Sequence, residues 1–330
     1  MSAFWTSDRI ILMAKNIAIV DSLRGVAADV YGRLFLLPKL KEAESERRFF
    51  EVAPDYKRLT AEFYAETAVP GANPAYQWDS WRKNIRDAFD KGVPVNFLSM
   101  SVLAKTMVFG RKRGKKHADM RIEKVREVFG DEIAKRLLLE DYLGAPAVTD
   151  SEWMTSANRA HLASHLAHYS DKAKTHLWDA GTVLEWGAGY GCMARLLRRM
   201  NPGLTYIIVD LPELLALQYV YLCALEGASA LNVATQPQGI LKGKINFIPY
   251  ESLVAGKVVP SCDAFISTWA VTESPIEAQK SVIDARFFSA KKVLLAYFKK
   301  DGNMFQSHGD TLGLSEDAIP AQPGNAYACR

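Results

Sequence analysis

The densest chemical signal in this 330-residue chain is VLEWGAGYG at 183–191, followed by CMARLLRRM. An apolar run ending in Glu185 and Trp186 meets glycines at alternate positions, Gly187, Gly189 and Gly191, and then a helix-length segment. Strand, glycine turn and helix N-terminus form a cradle for a nucleotide cofactor. Glycine lets the backbone turn sharply and approach a ligand without a Cβ clash, and the unpaired N–H groups of the helix start meet its polar atoms. Glu185 is placed to hold an ammonium group. A dinucleotide fingerprint would carry its third glycine at 192, where this chain has Cys192, so the spacing points away from NAD.

The next apolar run, TYIIV, ends in Asp210, 23 positions after Gly187. A carboxylate at that strand tip accepts hydrogen bonds from two ribose hydroxyls, with Leu211 bordering the adenine. Asp before Pro212 is also a helix-start signal, so capping is the alternative reading, and both roles can coexist. INFIPYES ends a third strand and places Tyr250 either beside the adenine or in the core as a structural tyrosine. A fourth strand, DAFIS, leads into Thr268, Trp269 and Glu273 at the carboxyl edge of the sheet, where doubly wound folds bind ligands. Thr268 and Trp269 are assigned to the cofactor. Glu273 is a candidate catalytic carboxylate, with favourable placement near the helix start at Pro275 as its alternative.

Asn158, His161, His165 and His168 follow at steps of three, four and three, which puts them on one face of a helix. Making a hydroxyl group nucleophilic requires removing its proton, and a neutral histidine suits that base role near neutral pH. His165 is the first choice of base, with His161 beside it and Asn158 and His168 as acceptor-binding residues. A solvated or hydrogen-bonded histidine face is the alternative. No metal is assigned, because His161 and His165 lack nearby carboxylates.

These residues need particular elements to position them. After Gly181, short apolar runs (TVLEW, TYIIV, INFI, DAFIS, KVLLAYF) alternate with helix-length segments, which predicts βαβ units and a parallel sheet. Before about 150, segments such as DYKRLTAEFYAET, WDSWRKNIRDAF and DEIAKRLLLEDYL repeat apolar residues every three or four positions and read as helices. The expected division is a helical region at 1–150, serving the acceptor side or oligomerisation, and a cofactor domain at 151–330. The run Arg111–Lys116 reads as a solvated basic loop, with contact to phosphate or a membrane surface as the alternative.

Composition excludes several classes. A net charge of +4, from 41 basic against 37 acidic residues, provides no field that would make nucleic acid an obligatory partner. The four cysteines (Cys192, Cys223, Cys262, Cys329) show no paired spacing, against a disulfide framework or zinc site and for a reducing, cytoplasmic compartment. The first 25 residues are interrupted by Asp8, Arg9, Lys15 and Asp21 and read as neither signal peptide nor transmembrane span. Peripheral membrane contact and a homo-oligomer stay open.

The E-x-G-x-G-x-G spacing resembles motif I of S-adenosyl-L-methionine (SAM) methyltransferases. Together with TSANRAHLASH, IIVDLPELLALQYVYL and STWAVTES it extends to a resemblance, over about residues 150–300, to the sugar O-methyltransferase family of bacterial surface-polysaccharide clusters. The resemblance implies a Rossmann-like α/β SAM methyltransferase domain, with a mostly parallel doubly wound sheet, preceded by an α-helical N-terminal region. It implies that Glu185, Gly187, Gly189 and Asp210 bind SAM, and that Asn158, His161, His165 and Glu273 line the acceptor side. The implied acceptor is a sugar or glycan hydroxyl in surface-polysaccharide or glycoconjugate biosynthesis, and the product is S-adenosylhomocysteine (SAH). Three rival readings stay open: a natural-product methyltransferase, a non-catalytic SAM-binding subunit, and an NAD-dependent oxidoreductase or epimerase.

Overall fold

The computed structural model describes residues 42–65, 79–104, 107, 111–234, 239–256, 258, 260–299, 312–320 and 322–330, with backbone alone at 42–43, 79–80, 104, 111–116 and 254. The chain start, read above for signal and membrane segments, lies outside these residues. In chain order the elements are α1 (Glu42–Val52), α2 (Tyr56–Ala65), α3 (Asp79–Ala88), α4 (Ser101–Ala104), α5 (Arg111–Leu138), β1 (Val148–Asp150), β2 (Thr155–Ser156) and α6 (Ala157–Ala173). Then follow β3 (Thr182–Trp186), α7 (Cys192–Met200), β4 (Thr205–Asp210), α8 (Pro212–Glu226), β5 (Leu231–Val233), β6 (Ile245–Pro249), α9 (Tyr250–Val254), β7 (Ala264–Thr268), α10 (Ala270–Glu273), α11 (Ile276–Asp284), β8 (Lys292–Phe298), β9 (Ser315–Ala318) and β10 (Asn325–Cys329).

The chain forms two compact units, one of residues up to Pro54 with Val93–His168, the other of Asp55–Gly92 with Tyr169–Arg330. The sequence reading placed a single division near 150. Two helices from the N-terminal half instead group with the sheet, and the physical reason is visible in their contacts. Phe63 of α2 packs on Phe247 of β6, with ring centroids 6.4 Å apart, and Arg82 of α3 donates from Nε to Glu213 of α8 at 3.1 Å. The buried positions of α2 are Tyr56, Leu59, Thr60 and Phe63, the three- and four-residue spacing that makes one helix face.

In the first unit, Phe49 stacks on Phe97 at 6.1 Å, and α5 is interrupted at Gly130, whose φ of 73° breaks the helical path. The basic run 111–116 opens α5 and is therefore helical, where a loop was expected. Lys and Arg favour helix strongly enough to carry the lone Gly114. Arg159 of α6 is fully buried and pairs with Glu140 at 3.1 Å and Asp141 at 2.6 Å, so its charge is matched inside the unit.

The second unit is built on an eight-stranded sheet in the order β5-β6-β4-β3-β7-β8-β10-β9. Pairs from β5 through β8 are parallel, and β10 runs antiparallel to both β8 and β9. Strands β4 and β6 bury every residue, which is why the sequence shows continuous apolar runs there and not an alternation. The expected α/β class, a mostly parallel doubly wound sheet preceded by helices, is the observed one. Chain order reverses at β3, which has β4 on one side and β7 on the other. Such a switch point opens a crevice at the carboxyl ends of the strands. Among the described residues, no helix is long and apolar enough to cross a membrane.

Candidate functional site

The glycine turn leaves β3 at this switch point. Gly187, Gly189 and Gly191 take φ values of 75°, 60° and 96°, a left-handed path that other residues adopt only with strain. At Gly187 a second constraint applies, since a Cβ there would lie 2.0 Å from the Cβ of Ala270. Gly191 then caps α7 with no side-chain hydrogen bond at the cap, so the first N–H groups of that helix are not capped by a side chain.

Asp210, at the tip of β4, is tied to this turn. Its Oδ2 accepts from the Ala188 N–H at 3.0 Å and from Gln218 Nε2 at 2.7 Å, and its Oδ1 accepts from the Leu211 N–H at 2.8 Å. The capping alternative is not what the geometry has. Leu211 is the cap residue of α8, Pro212 follows at the first helical position, and no side chain caps that end. Gln218 also donates to the Gly189 carbonyl at 2.9 Å, a role the sequence reading missed. The signal available was one amide in the otherwise apolar LLALQYVYL.

Glu185, 1% exposed, accepts a hydrogen bond from the Tyr206 hydroxyl at 2.8 Å. Burial pushes its carboxyl up to about 8, against the lowering effect of that bond, with the Asp210 charge adding to the rise. Asp210 is pushed up to about 7, again chiefly by burial and against its three donors. Among the described residues neither carboxyl makes an ion pair, in contrast to Glu213, which pairs with Arg82 and Arg86. The turn therefore lies between two buried acidic groups with no cation against either among the described residues.

On the other side of the switch point, β7 ends in Thr268, and Trp269 follows as the cap residue of α10. Trp269 holds φ 68° and ψ −36°, a conformation that costs an L-residue on the order of 1–3 kcal/mol. Two hydrogen bonds fix it: its N–H to the Ala296 carbonyl at 2.6 Å, and its indole Nε1–H to Asn325 Oδ1 at 2.8 Å. Ser267 Oγ donates to the Trp186 carbonyl and accepts from the Val271 N–H, joining β3 to the start of α10. Trp186 meets Tyr250 edge to face at 5.4 Å, so Tyr250 lies against the β3 tip. Glu273 ends α10 with an exposed side chain. Ser274 and Thr272 bond back to carbonyls of Ala270 and Trp269 and do not cap α11.

Asn158, His161, His165 and His168 all fall on α6 within the first unit. The His161 and His165 rings are 4.2 Å apart. Burial holds His161 well below the usual histidine range and takes His165 down to about 3, with the Arg121 charge adding to both shifts. His161 and His165 are thus neutral and buried. Among the described residues no group of three or more His, Cys, Asp or Glu side chains is placed to hold a metal ion.

Sheet order and the glycine turn define a Rossmann-like α/β domain with its switch point at β3. No family model and no curated protein sequence matches the chain. Solved structures align with it at low similarity. PigF with SAH is 13% identical, over 48% of this chain and 58% of that one, with a TM-score of 0.33. The magnesium protoporphyrin IX methyltransferase ChlM from Synechocystis PCC 6803 with bound SAM is 12% identical, over 66% and 97%, with a TM-score of 0.37. The mitomycin 7-O-methyltransferase MmcR is 11% identical, over 92% and 98%, with a TM-score of 0.35. The chain thus spans little more than half the length of PigF.

Proposed function

We propose that this protein is a SAM-dependent methyltransferase acting on a hydroxyl group, with SAM at the carboxyl ends of β3 and β4. One observation carries the reading: Glu185 and Asp210 are buried beside the glycine turn with no cation against them among the described residues. A buried carboxylate is costly unless something pairs with it, and SAM brings an ammonium group, a sulfonium and two ribose hydroxyls. NAD would set a pyrophosphate against the glycine turn beside Glu185, whose carboxylate would repel it, whereas Asp210 suits the ribose of either cofactor. When bound, SAM supplies an electrophilic methyl group for in-line displacement.

The chain's own groups bind and orient. Glu185 takes the ammonium, Asp210 the ribose hydroxyls, and the first N–H groups of α7 the remaining polar atoms. Leu211 and Tyr250 flank the adenine, and Thr268 and Trp269 border the crevice from β7. Positioning of this kind supplies much of the rate in a direct displacement. For the acceptor we keep a sugar or glycan hydroxyl, supported by the TSANRAHLASH and STWAVTES segments, with Glu273, exposed at the end of α10, taking its proton. A cytoplasmic enzyme of glycoconjugate assembly is the setting that fits such an acceptor.

The test is calorimetric titration of the purified chain with SAH, with NAD as control, followed by an acceptor screen with methyl-labelled SAM. The screen should span sugars, nucleotide-linked sugars and natural-product phenols. Micromolar SAH binding with label transferred to a sugar supports the full reading. Transfer to a phenol instead corrects the acceptor, binding without transfer to any acceptor indicates a non-catalytic subunit, and binding of NAD alone rejects the proposal.

A further inference from the structure

The amide of Gln218 occupies an unusual place. It is fully buried on α8, and both groups at its nitrogen are pure acceptors: the Gly189 carbonyl at 2.9 Å and Asp210 Oδ2 at 2.7 Å. That fixes the amide orientation, because the opposite flip would set Oε1 against two oxygens. Gln218 Oε1 is itself buried with no hydrogen-bond partner among the described residues. A buried amide tolerated with one end unsatisfied is held there by what its other end does.

We propose that Gln218 is the positioning residue of the cradle: its NH2 group clamps the middle of the glycine turn to the tip of β4, fixing the shape of the turn and holding Asp210 as an oriented carboxylate. The turn itself offers Asp210 one donor, the Ala188 N–H, and its neighbour Leu211 offers another. Only the third donor, Gln218, touches both sides of the cradle. Two other charged groups among the described residues oppose the ionisation of Asp210. Glu213 on α8 raises its proton affinity, although Arg82 and Arg86 pair with that carboxylate, and Glu185 on β3 is coupled to Asp210 unfavourably. With burial also opposing the charge, the hydrogen-bond donors are what favour it, and Gln218 is the one supplied by a side chain. For the identity of the ligand the inference rests on the function proposed above; the clamp itself does not.

The test uses the full chain and two variants without an amide, Gln218→Leu and Gln218→Met, with two readouts. Carboxyl-carbon NMR of the ligand-free protein, with the Asp210 signal assigned by its loss in Asp210→Asn, gives the titration midpoint of Asp210. A hydrogen bond to a charged group is worth enough to move that midpoint up by about one unit in either variant. SAH affinity should fall about tenfold at pH 7 and by less at pH 9, where the carboxyl is charged regardless. A variant that melts like the wild type and titrates at the wild-type midpoint overturns the clamp, whatever its affinity, since a packing role alone would not hold the midpoint. If neither variant folds, the wild type decides. The Gln218 side-chain amide protons must resist exchange and shift with the Asp210 midpoint, and free exchange overturns the proposal. Failure of the wild type to bind SAH rejects the cofactor reading alone, leaving the clamp to the titration.

Discussion

The Tyr206 hydroxyl donates to Glu185 Oε2 at 2.8 Å inside the sheet, yet burial still pushes that carboxyl up to about 8. A carboxyl whose folded value lies above its unfolded one stabilises the fold at low pH, and that stabilisation is lost as pH rises through the folded value. The ligand-free chain should therefore melt lower at pH 9 than at pH 6, with Asp210, pushed up to about 7, adding to the loss. Glu185→Gln removes most of this dependence. It should raise the unfolding free energy by on the order of 2 kcal/mol already at pH 6, which lies above the unfolded glutamate value, and by about 2–3 kcal/mol more at pH 9. Parallel melting curves for variant and wild type at both pH values would show that Glu185 is not held under this penalty.

The histidine face predicts the opposite slope. Burial takes His165 down to about 3, so its contribution is fully present above the unfolded histidine value and is lost as pH falls from there toward the folded one. Thermal melts from pH 7 to pH 4.5 should show the wild type losing stability and His165→Leu losing less.

Glu213 is fully buried at the first turn of α8, with Arg82 and Arg86 of α3 and the Tyr64 hydroxyl of α2 around it. Removing one partner of a buried pair leaves a charge without compensation, at about 3–5 kcal/mol. Glu213→Ala should therefore melt well below wild type. The double variant Glu213→Leu with Arg82→Met should recover only part of the loss, because Glu251, the other buried carboxyl 3.8 Å from Arg82, then loses its cation. An additive double-mutant cycle would show that the pair is not coupled.

Gly187→Ala should distort the cradle for two separable reasons, a positive φ and a Cβ placed against Ala270. Adding Ala270→Gly relieves only the second. SAH affinity should fall in the single variant and return part of the way in the double, short by the backbone strain of about 1 kcal/mol. No recovery would mean that the close approach to Ala270 is not what the glycine serves. Asp210→Ala should weaken SAH binding through its lost ribose bonds, by about tenfold; an unchanged affinity in a folded variant removes Asp210 from the ligand.

Much of the sheet was legible in the residues. TVLEW, TYIIV, INFI, DAFIS and KVLLAYF coincide with β3, β4, β6, β7 and β8, because strands covered on both faces must be apolar throughout, and few other local structures ask for such short runs. Edge strand β9 was not legible. Its residues Ser315, Glu316, Asp317 and Ala318 are mostly exposed, and what makes them a strand is backbone pairing with β10, which has no side-chain signature.

The sequence by itself determined what is local: the glycine turn after β3, whose positive φ values only those residues adopt easily, and the acidic residues at the tips of β3 and β4. Tertiary structure alone decided what those residues became. It brought Gln218 against Asp210, grouped α2 and α3 with the sheet through Glu213, and buried Glu185, His161 and His165 deeply enough to change their protonation. The reason is physical. Backbone conformation depends on a residue and its neighbours in the chain, whereas desolvation and hydrogen-bond partners depend on which distant segments fold against it.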